Sequence, residues 1–473
     1  MVLLRLLQRP VGRTLFLPAH GRGKALPDSL RRLLRRRAGV WDLPELPSIG
    51  GPLEPEGAVA ISQKQAADAM GVDHCWYGVN GATGLLQAAL LGLCRPGQAV
   101  LMPRNVHRSV IQACLLGQLT PLLFDLPFLS DRGHPQPADG AWLDRILQAL
   151  PDQHPGIGAA VLVHPTYQGY ATDPAPLINR LQQRGWPVLV DEAHGSHFAT
   201  GVDPDLPPSA VQSGADLVVH SLQKSASGLA QTAVLWLQGN RVDPDAIERS
   251  IGWLQTTSPS ALLLASCEAS LNDWQTAPGR QRLQRRLGEA RRLKRGLLND
   301  GLPLLETQDP LRLVLHTGAE GISGLEADDW LMKRRLVAEL PEPATLTFCL
   351  GLAKHQRLRA SLRKMWRALL TAHPGRQAQP PFEPPPLPLV SLPAQPLSWA
   401  WRAPRQLCEL KHAENSVAAE LLCPYPPGIP LLVPGERLDS TRLNWLLRQQ
   451  KLWGDQIPDI LEVVDQTAEP EIA

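Results

Sequence analysis

No two of the seven cysteines form a C-x-x-C pair; they stand alone at 75, 94, 114, 267, 349, 408 and 423. An odd, scattered set argues against a disulfide scaffold and a zinc ribbon, and suits reduced thiols in a cytoplasmic protein. Long apolar runs are missing as well: none approaches the roughly 18 residues that cross a bilayer, so no membrane partner is expected. The opening MVLLRLLQRPVGR breaks its leucines with Arg5, Arg9 and Arg13, where a secretory signal would be uninterrupted. Nor is there an excess of either charge. Lys and Arg number 47 against 45 Asp and Glu, a formal +2 that points to neither nucleic acid nor an acidic surface. What is there is ordinary globular material, 44% hydrophobic and 19% charged, in a chain long enough for about two or three domains.

Between residues 61 and 240, short apolar runs alternate with helical stretches. HCWYGV (74–79), AVLM (99–102), PLLF (121–124), AAVLV (159–163), PVLV (187–190), DLVV (216–219) and AVLWL (233–237) read as strands; 61–70, 83–94, 106–116 and 175–185 read as helices. Buried runs of four or five separated by helices predict a mostly parallel sheet with helices on both faces, an α/β fold. Such sheets carry their ligand chemistry at the carboxyl ends of strands. The expected organisation is an N-terminal segment (1–48), the sheet domain (49–270), a smaller helix-rich α/β segment (271–372), a linker (373–398) and a C-terminal α+β domain (399–473). Nine prolines in 373–397 predict an extended linker without helix or sheet. The Arg-rich stretch RQRLQRRLGEARRLKRGLL reads as a solvated helix face. DSLRRLLRRR (28–37) reads the same way, with Asp28 as N-cap.

One stretch demands a chemical reason. VLVDEAHGSHF (188–198) ends a buried strand in Asp191, Glu192, His194 and His197. A nucleotide-hydrolysing box would need a G-x-x-x-x-G-K-[ST] loop, and the chain has none; GRGKAL (21–26) has the wrong spacing. A zinc site on His194 and His197 lacks both the i, i+4 helical spacing and a remote cysteine cluster, so no metal is expected. The third reading is an organic cofactor. A strand-end carboxylate can hold the pyridinium nitrogen of pyridoxal phosphate while a lysine after the following strand takes its aldehyde. HSLQKSASG (220–228) supplies Lys224, with Ser221 and Gln223 beside it. Alone, Lys224 would read as a surface lysine. VNGATGLLQAAL (79–90) offers Ala82 and Thr83 at a helix start, where free amides and the helix dipole bind anions. PRNVHRSV (103–110) puts His107 after a strand as a stacking partner; alone it would read as a capping or surface residue.

Together these stretches resemble the fold-type I, pyridoxal-phosphate-dependent decarboxylases of ornithine, lysine and arginine. HPTYQGYATD (164–173), GADLVVHSLQK, AQTAVL, LQTTSPSALLLAS (254–266) and AAELLCPYPPGIPLLVPGE (418–436) carry the resemblance to the end of the chain. It implies that Lys224 forms the Schiff base and Asp191 pairs with the ring nitrogen. His107 would stack on the ring, and His194 would lie near cofactor and substrate carboxylate. The amides of Ala82 and Thr83, with Ser221 and Gln223, would bind phosphate. It also implies α-decarboxylation of a small-molecule basic amino acid, and a homodimer or larger assembly. The chain departs from the family at Gln223, where histidine is usual, and at Ala82, where threonine is usual. LPAHGRG (17–23) keeps His20 of the family's P-G-H-K-x-G pattern but loses its lysine. These changes bear on cofactor affinity and substrate identity. Two rival readings remain: another fold-type I reaction (transamination or aldol cleavage), and a non-catalytic regulatory descendant.

Overall fold

The computed structural model describes residues 2–9, 11–424 and 428–465. Tyr425, Pro426 and Pro427 of the CPYPPGIP motif lie outside them.

Seven strands build the main sheet in the order the apolar runs predict. They are β1 (His74–Gly78), β2 (Ala99–Pro103), β3 (Thr120–Phe124), β4 (Ile157–Val163), β5 (Val188–Asp191), β6 (Leu217–Ser221) and β7 (Ala233–Leu237). A smaller antiparallel sheet follows from β8 (Arg312–Leu315), β9 (Leu340–Pro341) and β10 (Leu346–Cys349). Val390–Ser391 (β11) then returns to the main sheet, whose order becomes β11-β3-β2-β4-β5-β6-β7-β1. β2 to β6 run parallel; β7 is antiparallel to both its neighbours.

The strands are apolar throughout because both faces are covered. Along β5, Val188 and Val190 join one core and Leu189 the opposite one, and β2 divides Ala99 and Leu101 from Val100 and Met102 in the same way. One face carries α1 (Gly81–Leu93) and α2 (Arg108–Leu116), which pack on each other. The smaller sheet packs with the long α4 (Ala277–Asn299) and with α5 (Leu358–Ala372); a one-turn helix, α3 (Leu222–Ser225), follows β6. Beyond β11, β12 (Arg405–Glu409) pairs with β13 (Ile460–Val464), and α6 (Ser440–Leu452) packs over a separate core around Trp445 and Leu446.

Two local expectations change. The linker does contain sheet, because Val390 and Ser391 are a proline-free pair whose pairing with Leu123 and Phe124 ties the segment to β3. Asp28 is not an N-cap: Pro27 occupies that position, and Asp28 is the first helical residue, ion-paired with Arg31 one turn on. A carboxylate in the first turn still complements the helix dipole.

Candidate active site

All eight residues singled out above line one cavity of about 360 Å³: Ala82, Thr83, His107, Asp191, His194, Ser221, Gln223 and Lys224. Topology brings them together. Asp191 is the last residue of β5, Lys224 sits in the turn after β6, His107 precedes α2, and Ala82 and Thr83 open α1. Because β2, β5 and β6 are parallel, their carboxyl ends meet on one edge of the sheet, as expected for such folds. A larger cavity, about 660 Å³, is bordered by Arg286, Lys354 and Arg357, but its carboxylate, Glu289, is already paired with Arg286. The smaller cavity holds the eight residues named above.

The four titratable residues of DEAHGSH divide by direction. Asp191 and His194 line the cavity. Glu192 points away and is wholly buried. It accepts from Ser209 Oγ at 2.5 Å, the Ala210 amide at 2.9 Å and His220 Nε2 at 2.7 Å, and His220 in turn accepts from Trp236 Nε1 at 2.9 Å. A buried carboxylate so fully satisfied is structural. His197 also points away and holds Asp309 at 3.0 Å. Among the described residues no cluster of metal-ligating side chains occurs.

Lys224 Nζ lies 2.8 Å from His194 Nε2, and the other ring nitrogen, Nδ1, accepts from Arg312 Nη2 at 2.8 Å. Burial, then the charges of Lys224 and Arg312, press the His194 imidazole well below its ordinary pKa. Burial also lowers Lys224, against the pull of Asp191. Asp191 Oδ1 accepts from the Ala193 amide at 3.1 Å. The His194 ring packs against Tyr167, centroids 4.5 Å apart, and the Tyr167 hydroxyl donates to Glu339. Glu339 also accepts from the Leu17 amide at 2.7 Å, and the Ala19 amide donates to the Gln223 carbonyl at 2.9 Å. The N-terminal loop thus braces the lysine turn. His20 itself accepts from the Gly23 amide at 2.8 Å and is spent on its own loop.

His107 serves both readings. It caps α2, its Nδ1 accepting from the Ser109 amide at 3.2 Å, and it borders the cavity. Asn105 borders it too, with Oδ1 buried and unpaired. Just before them, Arg104 is fully buried and bound to Glu436 of the C-terminal domain at 2.5 Å, to Ser391 Oγ at 2.6 Å and to the Pro430 carbonyl at 2.9 Å. Gly435, next to Glu436, lets the linker pass close by: at φ +90° a side chain there would meet the Gln395 carbonyl at 2.2 Å.

Sequence reasoning missed Arg312, Tyr167, Glu339 and Asn105. Tyr167 and Asn105 sit inside motifs quoted above without a role. Arg312 and Glu339 carry no local signal, being single charged residues in a segment rich in them.

Residues 18–307 match the family described as Orn/Lys/Arg decarboxylase, major domain, and residues 386–460 match that family's C-terminal domain. An arginine decarboxylase of Bacillus subtilis is 27% identical over 91% of this chain and 89% of its own length. One from Halalkalibacterium halodurans is 28% identical over 91% and 89%. Among solved structures, lysine decarboxylase A from Pseudomonas aeruginosa superposes with a TM-score of 0.74 at 16% identity, covering 90% of this chain and 74% of that one. Serine palmitoyltransferase of Sphingomonas wittichii shares the fold more distantly, with a TM-score of 0.52 at 16% identity over 66% of this chain and 76% of its own.

Proposed function

The chain belongs to the Orn/Lys/Arg decarboxylase family, whose members are pyridoxal-phosphate-dependent lyases, and from that premise we propose that it releases the α-carboxyl group of a basic amino acid, arginine foremost, in the cavity at Lys224. The observation that carries the reading is the shared lining of that cavity by a strand-end carboxylate, a half-buried lysine and a helix N-terminus.

The donor set suits pyridoxal phosphate. The Ala82 and Thr83 amides open a 13-residue helix, whose first turn has N–H groups free for an anion; with Ser221 and Gln223 they would hold the phosphate. Asp191 would hold the ring nitrogen, Lys224 the aldehyde carbon, and His107 one ring face. The unpaired Oδ1 of Asn105 offers an acceptor to the ring hydroxyl. When bound, the cofactor supplies an electron sink for the pair left behind as carbon dioxide departs.

The protein's own part is positioning and proton control. With the cofactor bound, Asp191 would favour a proton on the ring nitrogen by Coulomb attraction. Lys224 or His194, 2.8 Å apart, delivers the proton that replaces the carboxyl group at Cα. Family membership supports a homodimer, and the seven free thiols suit the cytoplasm.

Borohydride reduction of the loaded protein, followed by peptide mapping, should place a pyridoxyl group on Lys224. Mass spectrometry should then find amine from arginine, lysine or ornithine and little from neutral amino acids, which leave the partner of the distal cation unpaired. Label on a different lysine overturns the assignment of Lys224. Bound cofactor without amine from any of the three overturns the decarboxylase reading. Ala82 and Gln223 offer the phosphate less than the family's usual residues, so activity should rise with added cofactor.

Asp191→Asn should keep part of the cofactor and lose about 10²-fold or more in turnover, the scale for removing a preorganised charge partner. Turnover near that of the unaltered protein would make Asp191 structural.

A further inference from the structure

The hydrogen bonds around His194 fix where its proton sits. Arg312 is a donor at every accessible pH and has no lone pair to offer. Its Nη2 lies 2.8 Å from His194 Nδ1, so Nδ1 must accept and carries no hydrogen. In a neutral imidazole the hydrogen is then on Nε2, and Nε2 faces Lys224 Nζ at 2.8 Å. That hydrogen can only be donated to a lone pair. Lys224 has one when it is an amine and none when it is an ammonium.

We propose that Arg312 is a positioning residue that selects the Nε2–H form of His194 and thereby presents Lys224 as a neutral nucleophile. The inference rests on the assignment of Lys224 as the residue that takes the cofactor.

The surroundings are built for this contact. Arg312 opens β8, is almost wholly buried, and lies 3.7 Å from Asp309 Oδ2. Asp309 is anchored independently by His197 Nε2 at 3.0 Å and the Leu311 amide at 2.8 Å. Gly169, at φ +93°, makes room for the guanidinium stem: a Cβ there would stand 2.8 Å from Arg312 Cγ. The HPTYQGYATD motif therefore contributes both Tyr167, which packs against His194, and the vacancy that Arg312 fills.

The charges facing the pair agree. Lys224 is lowered by burial and by Arg312, and raised by Asp191, Cys349 and Glu339. His194 is lowered by burial and then by Lys224, Arg312, His107 and His197. A second proton on His194 would have to sit on Nδ1 and would set an imidazolium against the Arg312 guanidinium, so the imidazole stays neutral.

Removing Arg312 lets the single imidazole hydrogen shift from Nε2 to Nδ1, so that the bare Nε2 can accept from an ammonium, and it deletes a positive neighbour of Lys224; both changes favour the ammonium. The test uses the full-length chain stripped of cofactor and reloaded with pyridoxal phosphate, with capture read as pyridoxyl-Lys224 after reductive trapping from pH 6 to 10. In Arg312→Met the midpoint of capture should move up by about one pH unit, the scale of a neighbouring charge, so that capture is about tenfold slower at neutral pH and recovers at high pH. Arg312→Lys keeps the donor and the charge and should stay near the original profile. Coincident profiles for Arg312→Met and the unaltered chain overturn the inference.

A measurement on the unaltered chain guards against a variant that fails to fold. Nitrogen-15 NMR of the histidine-labelled, cofactor-free protein, assigned with His194→Gln, should show protonated Nε2 and bare Nδ1 at residue 194. Protonated Nδ1 overturns the inference. Absence of label at Lys224 in the unaltered chain is a separate result: it removes the cofactor assignment itself.

Discussion

Lys224→Ala is expected to abolish the pyridoxyl label at this position and to cut turnover by about 10²–10⁴-fold, the range for a positioned acid–base group. Loss of the covalent attachment point adds to that loss. The fold should persist. Lys224 is half-buried, desolvation disfavours its charged form, and its described contact is the ring nitrogen of His194. Alanine removes a costly buried amine and leaves His194 held by Arg312 and packed on Tyr167. The thermal midpoint should therefore stay level or rise while activity collapses. Lys224→Arg separates charge from nucleophilicity: it keeps a cation and cannot take the aldehyde, so it should be as inactive as alanine. Substantial turnover in either variant would show that another group does the chemistry.

Glu436→Ala should be the most destabilising change in the C-terminal domain, by about 3–5 kcal/mol, because it strands a buried cation. Glu436 and Arg104 are both almost wholly buried, and their bond joins the end of β2 to a domain more than 300 residues away in sequence. The same carboxylate accepts from the Val433 amide at 2.9 Å and lies 3.8 Å from Arg442, which keeps Asp439 as a partner. Arg104 leads directly into Asn105 and His107 at the cavity, so cofactor retention should fall together with stability. Urea unfolding followed by intrinsic tryptophan fluorescence, with proteolysis of the 373–397 segment as a second readout, would measure this. Replacing both partners, Arg104→Met with Glu436→Met, removes the stranded charge and should recover much of the loss. If Glu436→Ala unfolds at the same urea concentration as the unaltered chain, the bond contributes nothing and the domain is held by its apolar contacts alone.

The sheet could be read from the sequence because its determinants are local. Each of β1 to β7 is a four- to seven-residue, mostly apolar run in a sheet covered on both faces, and such runs stand out between helices with their own period. β5 ending at Asp191 and β6 ending before Lys224 follow from that pattern alone. Parallel order then sends both ends to the same edge, and this is why two residues about 30 positions apart could be paired in advance. VNGATG and PRNVHRSV were legible for the same reason, as turns between a strand and a helix.

Direction and long-range pairing were not legible. Residue types alone offered Asp191, Glu192, His194 and His197 as equals, and the family resemblance singled out Asp191 and His194. Only the packing shows that Glu192 is taken up by Ser209, Ala210 and His220, and His197 by Asp309, while Asp191 and His194 face the cavity. Arg312 is one of 47 basic residues, and nothing in its neighbours announces that it will lie wholly buried against His194. Glu339 and Glu436 were equally silent. A charged side chain reads as solvated until another part of the chain shields it and supplies its partner, and that partner is set by how the domains dock. Local periodicity determined where the strands and the cofactor-type turns lie; the tertiary fold decided which charges were taken out of water, and burial of those charges sets the proton positions in the site.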